Sequence, residues 1–203
     1  MTSNQIKIGV SVVLLLLSAF LIWRHFAPSE GAQVVQHYVG TVAGTEALNY
    51  LGEDARVVLI GFEGDRPVMK KLMKGFGDTL EAGGGEVIGH AYYDPTGPDG
   101  RITEAPIPPE FFRETFRNNR EADAFVSFIG PPPVVLLRKM GEKRPPLIVV
   151  GDRSQRLPML VNKGLIDLGI GSRRIVAQHT QEPAATYLEW FDRYYEVYRK
   201  PGS

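Results

Sequence analysis

The residues whose types could bind or react are few: an Asp152-Arg153 pair, two Gly-x-Gly pairs, His37, His90, His179 and one serine inside an apolar run. The three histidines are far apart and show no metal-ligand spacing, so ordinary exposed or hydrogen-bonded histidines are expected. Ser127 lies in an apolar run with no flanking nucleophile-elbow glycines, which disfavours acyl transfer. "GFGDTL" falls inside a helical pattern. "GIGSRR" follows a strand pattern but lacks the third glycine and a later acidic partner of a dinucleotide site. No G-x-x-x-x-G-K-[ST] phosphate loop is present. With no cysteine, the chain has no disulfide, no thiolate chemistry, no lipid anchor on Cys and no Cys-built zinc site. Nothing assembles nucleophile, base and oxyanion donors together, so the expectation is a protein that is not an enzyme and needs no cofactor.

Composition bounds the partners. Lys plus Arg and Asp plus Glu are both 23 in 203 residues, giving zero net charge. A general nucleic-acid binder would carry a basic excess, so none is expected. The uncharged run "IGVSVVLLLLSAFLIW", Ile8 to Trp23, is bracketed by Lys7 and Arg24. At 1.5 Å per residue it covers about 24 Å, and snorkelling of Lys7 and Arg24 with Trp23 at the interface makes it just long enough to span. A cleaved signal peptide is the competing reading; the bulky, cationic exit "RHFAP" argues against cleavage. Residues 1–26 are therefore expected to be a single-pass anchor, with the short leader inside and the bulky domain outside.

Next come the elements that must position any site. Residues 27–54 read as a tether followed by a short connector helix within "VAGTEALNYLGED". From residue 55 to 203 an alternation sets in. "ARVVLIGF" is a continuous apolar, β-branched run typical of a strand buried on both faces. Pro67 to Ala82 is helical, with Val68, Leu72, Phe76 and Leu80 four apart and a triple-glycine stop. "EVIGHAYY", "DAFVSFIG", "PLIVVGD" and "IDLGIGS" follow as strands, with helices expected over 109–120, 133–140, 157–163 and 182–200. Strands separated by helices make parallel βαβ units, so one open three-layer α/β domain of about five strands is predicted.

The stretch from about Arg56 to Ser172 resembles the first lobe of type 1 periplasmic binding proteins. "IGFEGDRPVMKKLMKGFGDTLEAGGGEVI" is similar to their opening strand, loop and helix, "ADAFVSFIGPPPV" to their third strand, and "PPLIVVGDR" to their fourth. The resemblance, like a flavodoxin-like sheet, implies ligand binding beyond the carboxyl ends of the strands. It points to Asp152 and Arg153 as holders of sugar hydroxyls and to the loop Phe62 to Asp65 as crevice lining; the plain alternative for the pair is a helix-capping Asp beside a solvated Arg. The family clamps its ligand between two lobes, whereas this chain offers one.

The last helical pattern is unusual. Leu188, Phe191, Tyr195 and Tyr198 form one stripe, and Tyr187, Trp190, Tyr194 and Val197 the neighbouring one. One stripe covers a sheet; a second either fills a wide groove against the sheet and connector helix or makes a face suited to a partner protein or the bilayer surface, with Leu188, Phe191 and Tyr195 expected on the dry side. Together these features predict a membrane-anchored interaction or scaffold module on the periplasmic side of a bacterial inner membrane. Its expected partners are membrane or periplasmic proteins, a second copy of itself and the bilayer. A sugar-type receptor or sensor is the alternative.

Overall fold

Val57, Val58, Leu59 and Ile60 are each 2% exposed or less, and their side chains divide strictly by parity. Val57 and Leu59 join one apolar cluster, Val58 and Ile60 the other. A strand hidden on both faces needs a layer above and a layer below it. The computed structural model supplies both. It describes residues 30–64, 66–97, 101–102, 106–141, 144–152, 156–173 and 186–200.

The elements in order are α1 (Glu30–Leu51), β1 (Arg56–Phe62), α2 (Pro67–Ala82), β2 (Glu86–Tyr93), α3 (Pro109–Asn118), β3 (Ala124–Ser127), α4 (Val134–Met140), β4 (Leu147–Asp152), α5 (Leu157–Asn162), β5 (Leu168–Ser172), α6 (Tyr187–Tyr194) and β6 (Tyr195–Arg199). The sheet order is β2-β1-β3-β4-β5-β6. The first five strands run parallel, and β6 runs antiparallel to β5. On one face α1, α2 and α6 pack through Val39, Leu72, Phe76, Leu80 and Phe191; on the other α3, α4 and α5 pack through Phe112, Leu136, Leu137, Leu157 and Leu160. The chain leaves β1 toward β2 and returns past it to β3. Strand order therefore reverses between β1 and β3, the place where open α/β sheets hold ligands.

Two elements differ from the sequence-based expectation. The connector helix is 22 residues long and is part of the core, so the α/β layers begin at residue 30 and not at 55. Its buried face is made of Val39, Ala43 and Ala47 with Gly40 and Gly44, too small to read as an apolar stripe. Small residues let it lie against α2. A Cβ on Gly40 would stand 2.0 Å from the Leu72 carbonyl oxygen, and one on Gly75 2.1 Å from that of His37. The pairs His37–Gly75, Gly44–Phe76 and Leu48–Gly83 advance together along both helices, so α1 and α2 run parallel. Because α2 starts where β1 ends, α1 also starts at the carboxyl edge of the sheet.

The second difference is at the C-terminus. Thr186 caps α6, its hydroxyl accepting from the Glu189 amide, and the helix stops at Tyr194. Tyr195–Arg199 pairs with β5 as a sixth strand. "YEVYR" suits a strand as well as a helix, being aromatic and β-branched at alternate positions. The free edge of β5 decides the matter, because pairing satisfies backbone groups on both strands. Tyr195 and Val197 then pack on one cluster and Tyr198 on the other, a period of two. Leu188, expected on the dry side, is 57% exposed, since in so short a helix Phe191 alone is buried against the sheet.

Candidate ligand-binding crevice

Three adjacent strands, β1, β3 and β4, end at one edge, and the turns leaving β1 and β3 each have a built reason for their path. After β1 the chain turns through Gly64 at φ 96°, and after β3 through Gly130 at φ 95°, conformations that side chains avoid. A Cβ on either would meet nothing within 4 Å, so both turns face open space. The β3 turn is braced by the Ser127 hydroxyl, which donates to the Gly130 carbonyl at 2.6 Å, and then stiffened by Pro131, Pro132 and Pro133. Ser127 is fully buried and engaged, so its hydroxyl is a brace and not a nucleophile. At the end of β4 the pairing with β5 shifts register between Val150 and Asp152.

Phe62, expected as crevice lining, closes β1 at this edge. Its amide donates to the Met69 sulfur at 3.3 Å, the Arg66 guanidinium sits 4.5 Å from its ring centroid, and Tyr93 lies on its flank at 6.3 Å. The Asp152 backbone ends β4 at the same edge, two strands from β1, about 10 Å by ordinary strand spacing. Asp65 and Arg153 lie outside the described residues. The fold thus brings the loop after β1 and the end of β4 to one edge.

The remaining candidates separate clearly. Gly75 and Gly77 lie inside α2 and Gly169 and Gly171 inside β5, so neither Gly-x-Gly pair opens a phosphate loop. His90 stacks on Tyr92 at 5.8 Å on the exposed sheet edge, His37 sits in α1, and His179 lies outside the described residues. Among the described residues no cluster of His, Asp or Glu could hold a metal ion. In the loop after β2, the Asp94 carboxylate accepts from the Thr96 amide at 2.8 Å, and hydrogen bonding to Thr96 holds this exposed carboxyl below the usual range.

The four aromatic-stripe residues are placed as follows. Tyr187 is half exposed with its ring 5.6 Å from Tyr38. Trp190 and Val197 are half-buried against the core, and Tyr194 is half-buried with its ring 5.0 Å from Trp190. Lys7, Trp23 and Arg24 lie outside the described residues; among the described residues no helix is long and apolar enough to cross a membrane.

One surface has no counterpart in the sequence reading. A groove of about 460 Å³ runs between α2 and the uncovered face of β2, floored by Met69, Met73, Val87 and Tyr92 and reaching Phe62 at its upper end. Its signal was Met69 and Met73, which stand four apart on α2 beside the basic series Arg66, Lys70 and Lys74.

No protein-family model and no curated protein sequence matches the chain. Solved structures do. One described as the XylFII molecule is 16% identical with a TM-score of 0.52, over 67% of this chain and 48% of that one. A XylFII-LytSN complex matches at 16% identity with a TM-score of 0.53, over the same shares. An ABC transporter solute-binding protein from Agrobacterium vitis, bound with α-D-tagatopyranose, matches at 12% identity with a TM-score of 0.53, over 68% and 45%. The fold is that of one lobe of a type 1 periplasmic binding protein. This lobe spans about half the length of the solved structures it matches.

Proposed function

We propose that this chain is a non-catalytic binding module whose carboxyl-edge crevice takes a small polyhydroxylated ligand of the sugar class. One observation carries the reading: the carboxyl ends of β1, β3 and β4 lie side by side next to the strand-order reversal of a lobe whose fold is shared with solute-binding proteins bound with D-arabinose and α-D-tagatopyranose. Open turns at Gly64 and Gly130 support it, because they leave backbone amides approachable by a hydroxyl. Asp152 and Arg153 are the proposed hydroxyl partners, a charged pair able to donate and accept at once. One lobe encloses one side of a ligand, so the affinity of this lobe by itself is modest.

Tethering fits the same picture. An anchor at Ile8 to Trp23 is the proposed tether, holding the α/β domain on the extracytoplasmic side of a membrane. A second reading, an interaction module, is favoured by the XylFII-LytSN complex among the matched structures. In that case Tyr187, Trp190, Tyr194 and Val197 are the proposed contact.

Calorimetry of the full chain against a panel of pentoses and hexoses tests the first reading. Binding is expected in the micromolar to millimolar range, with Asp152→Ala and Arg153→Ala each weakening it about tenfold or more, the scale of a hydrogen bond to a charged group. No heat with any sugar at millimolar concentration would leave the interaction reading standing alone.

A further inference from the structure

We infer that β2 is a self-pairing edge, and that two copies of this chain join antiparallel through it into one continuous sheet. This stands independently of what the crevice binds. β2 is eight residues long, is paired only with β1 among the described residues, and carries neither lysine nor proline. Natural edges are often blunted by such residues, and a long edge without them is a template for another strand.

The identity of that strand follows from a bulge. Pairing with β1 slips between Val57 and Val58, where Val87 and Gly89 become successive partners. Beyond the slip, His90 and Tyr92 share the groove face with Val87, while Ile88 and Ala91 both pack on the opposite cluster. In a regular strand, residues five apart such as Val87 and Tyr92 would lie on opposite faces. Here they share one.

Under a two-fold axis normal to the sheet, Val87 then meets the partner's Tyr92, and Ile88 the partner's Ala91, each on its matching face. His90 meets the partner's Gly89, which has no side chain to misplace. Shifting the register by one residue sets Val87 against the partner's Ala91 or Tyr93, whose side chains lie on the other face. Of the registers that keep side chains on matching faces, this one alone pairs all eight residues of β2.

Charge agrees. Along the groove Arg66, just before α2, is followed on α2 by Lys70 and Lys74 in its first half and then by Asp78 and Glu81. The same axis sets the basic half of one α2 beside the acidic half of the other. The Lys74–Asp78 pair within each helix, at 2.8 Å, lies at the boundary between the two halves. The exposed Tyr92 ring and the apolar groove floor close over each other at the seam.

The test uses the full chain in detergent, which has no native cysteine. Sedimentation should give a dimer, and Tyr92→Lys should raise its dissociation constant about tenfold, since each copy loses one cross-strand pair. Val87→Cys with Tyr92→Cys should give disulfide-linked dimers on mild oxidation, whereas Val87→Cys with His90→Cys should not, because those two positions do not oppose. A circular-dichroism melt of Tyr92→Lys checks its fold; should it unfold, the cysteine pairs decide alone. A monomer at all concentrations, equal cross-linking by both cysteine pairs, or a dimer indifferent to Tyr92→Lys in a folded chain would overturn the inference.

Discussion

Arg144 donates to Asp167 Oδ2 from a position where both side chains are 10% exposed or less. The same guanidinium donates to the Gly164 carbonyl at 3.0 Å, and Asp167 Oδ2 also accepts from the Leu147 amide at 2.9 Å. The pair thereby ties the chain entering β4 to the turn entering β5. Removing either partner leaves a buried charge uncompensated, so Arg144→Ala and Asp167→Ala are each expected to cost about 3–5 kcal/mol of folding stability. Urea unfolding measures it. The site lies at the amino edge, so sugar binding by the fraction still folded should be unchanged.

Tyr50 carries a pH dependence. Burial, then the charge and hydrogen bonding of Asp167, hold its phenol above the usual 10.0. A raised pKa means the fold favours the neutral phenol, a contribution fully present below pH 10.0 and lost as pH rises through the folded value. Tyr198, raised by burial and then by Glu196, acts in the same direction. Melting temperature should therefore fall with alkaline pH more steeply in the native chain than in Tyr50→Phe. Parallel curves for the two proteins would exclude the effect.

Gly40 tests the contact between α1 and α2. Alanine in a helix interior is favoured over glycine by about 1 kcal/mol. The new methyl, however, would sit 2.0 Å from the Leu72 carbonyl oxygen, a backbone atom that cannot rotate away. Overpacking of this kind costs about 1–3 kcal/mol, and with backbone on the far side the upper end applies. Gly40→Ala should lower the urea midpoint, whereas Gly77→Ala, whose Cβ would meet only Val87 at 3.7 Å, should not.

On α6, core and surface are distinguishable by truncation. Phe191 is 4% exposed and stacks on Tyr195 at 5.4 Å, so Phe191→Ala should cost about 3–5 kcal/mol. Tyr187 is 51% exposed with one ring neighbour, Tyr38, and Tyr187→Ala should cost about 1 kcal/mol or less. Equal losses would mean that α6 is seated the other way round.

The layers were legible because they are written locally. A β-branched run such as Val57–Ile60 has no water-facing side, and Leu72, Phe76 and Leu80 repeat at the helical period, so strand, helix and three-layer stacking follow from composition and spacing. That β1, β3 and β4 end side by side at one edge of the sheet was legible too. Other features are set by neighbours distant in sequence. "YEVYR" fits helix and strand equally until the open edge of β5 stands beside it. Gly40, Ala43, Gly44 and Ala47 announce no apolar face, because small residues act by letting a second helix approach and not by being hydrophobic. The bulge at Ile88 and Gly89 exists only in pairing with β1, and with it the face that Val87 shares with Tyr92. Tertiary structure decided these because each is a property of two surfaces meeting, and a sequence pattern records one surface at a time.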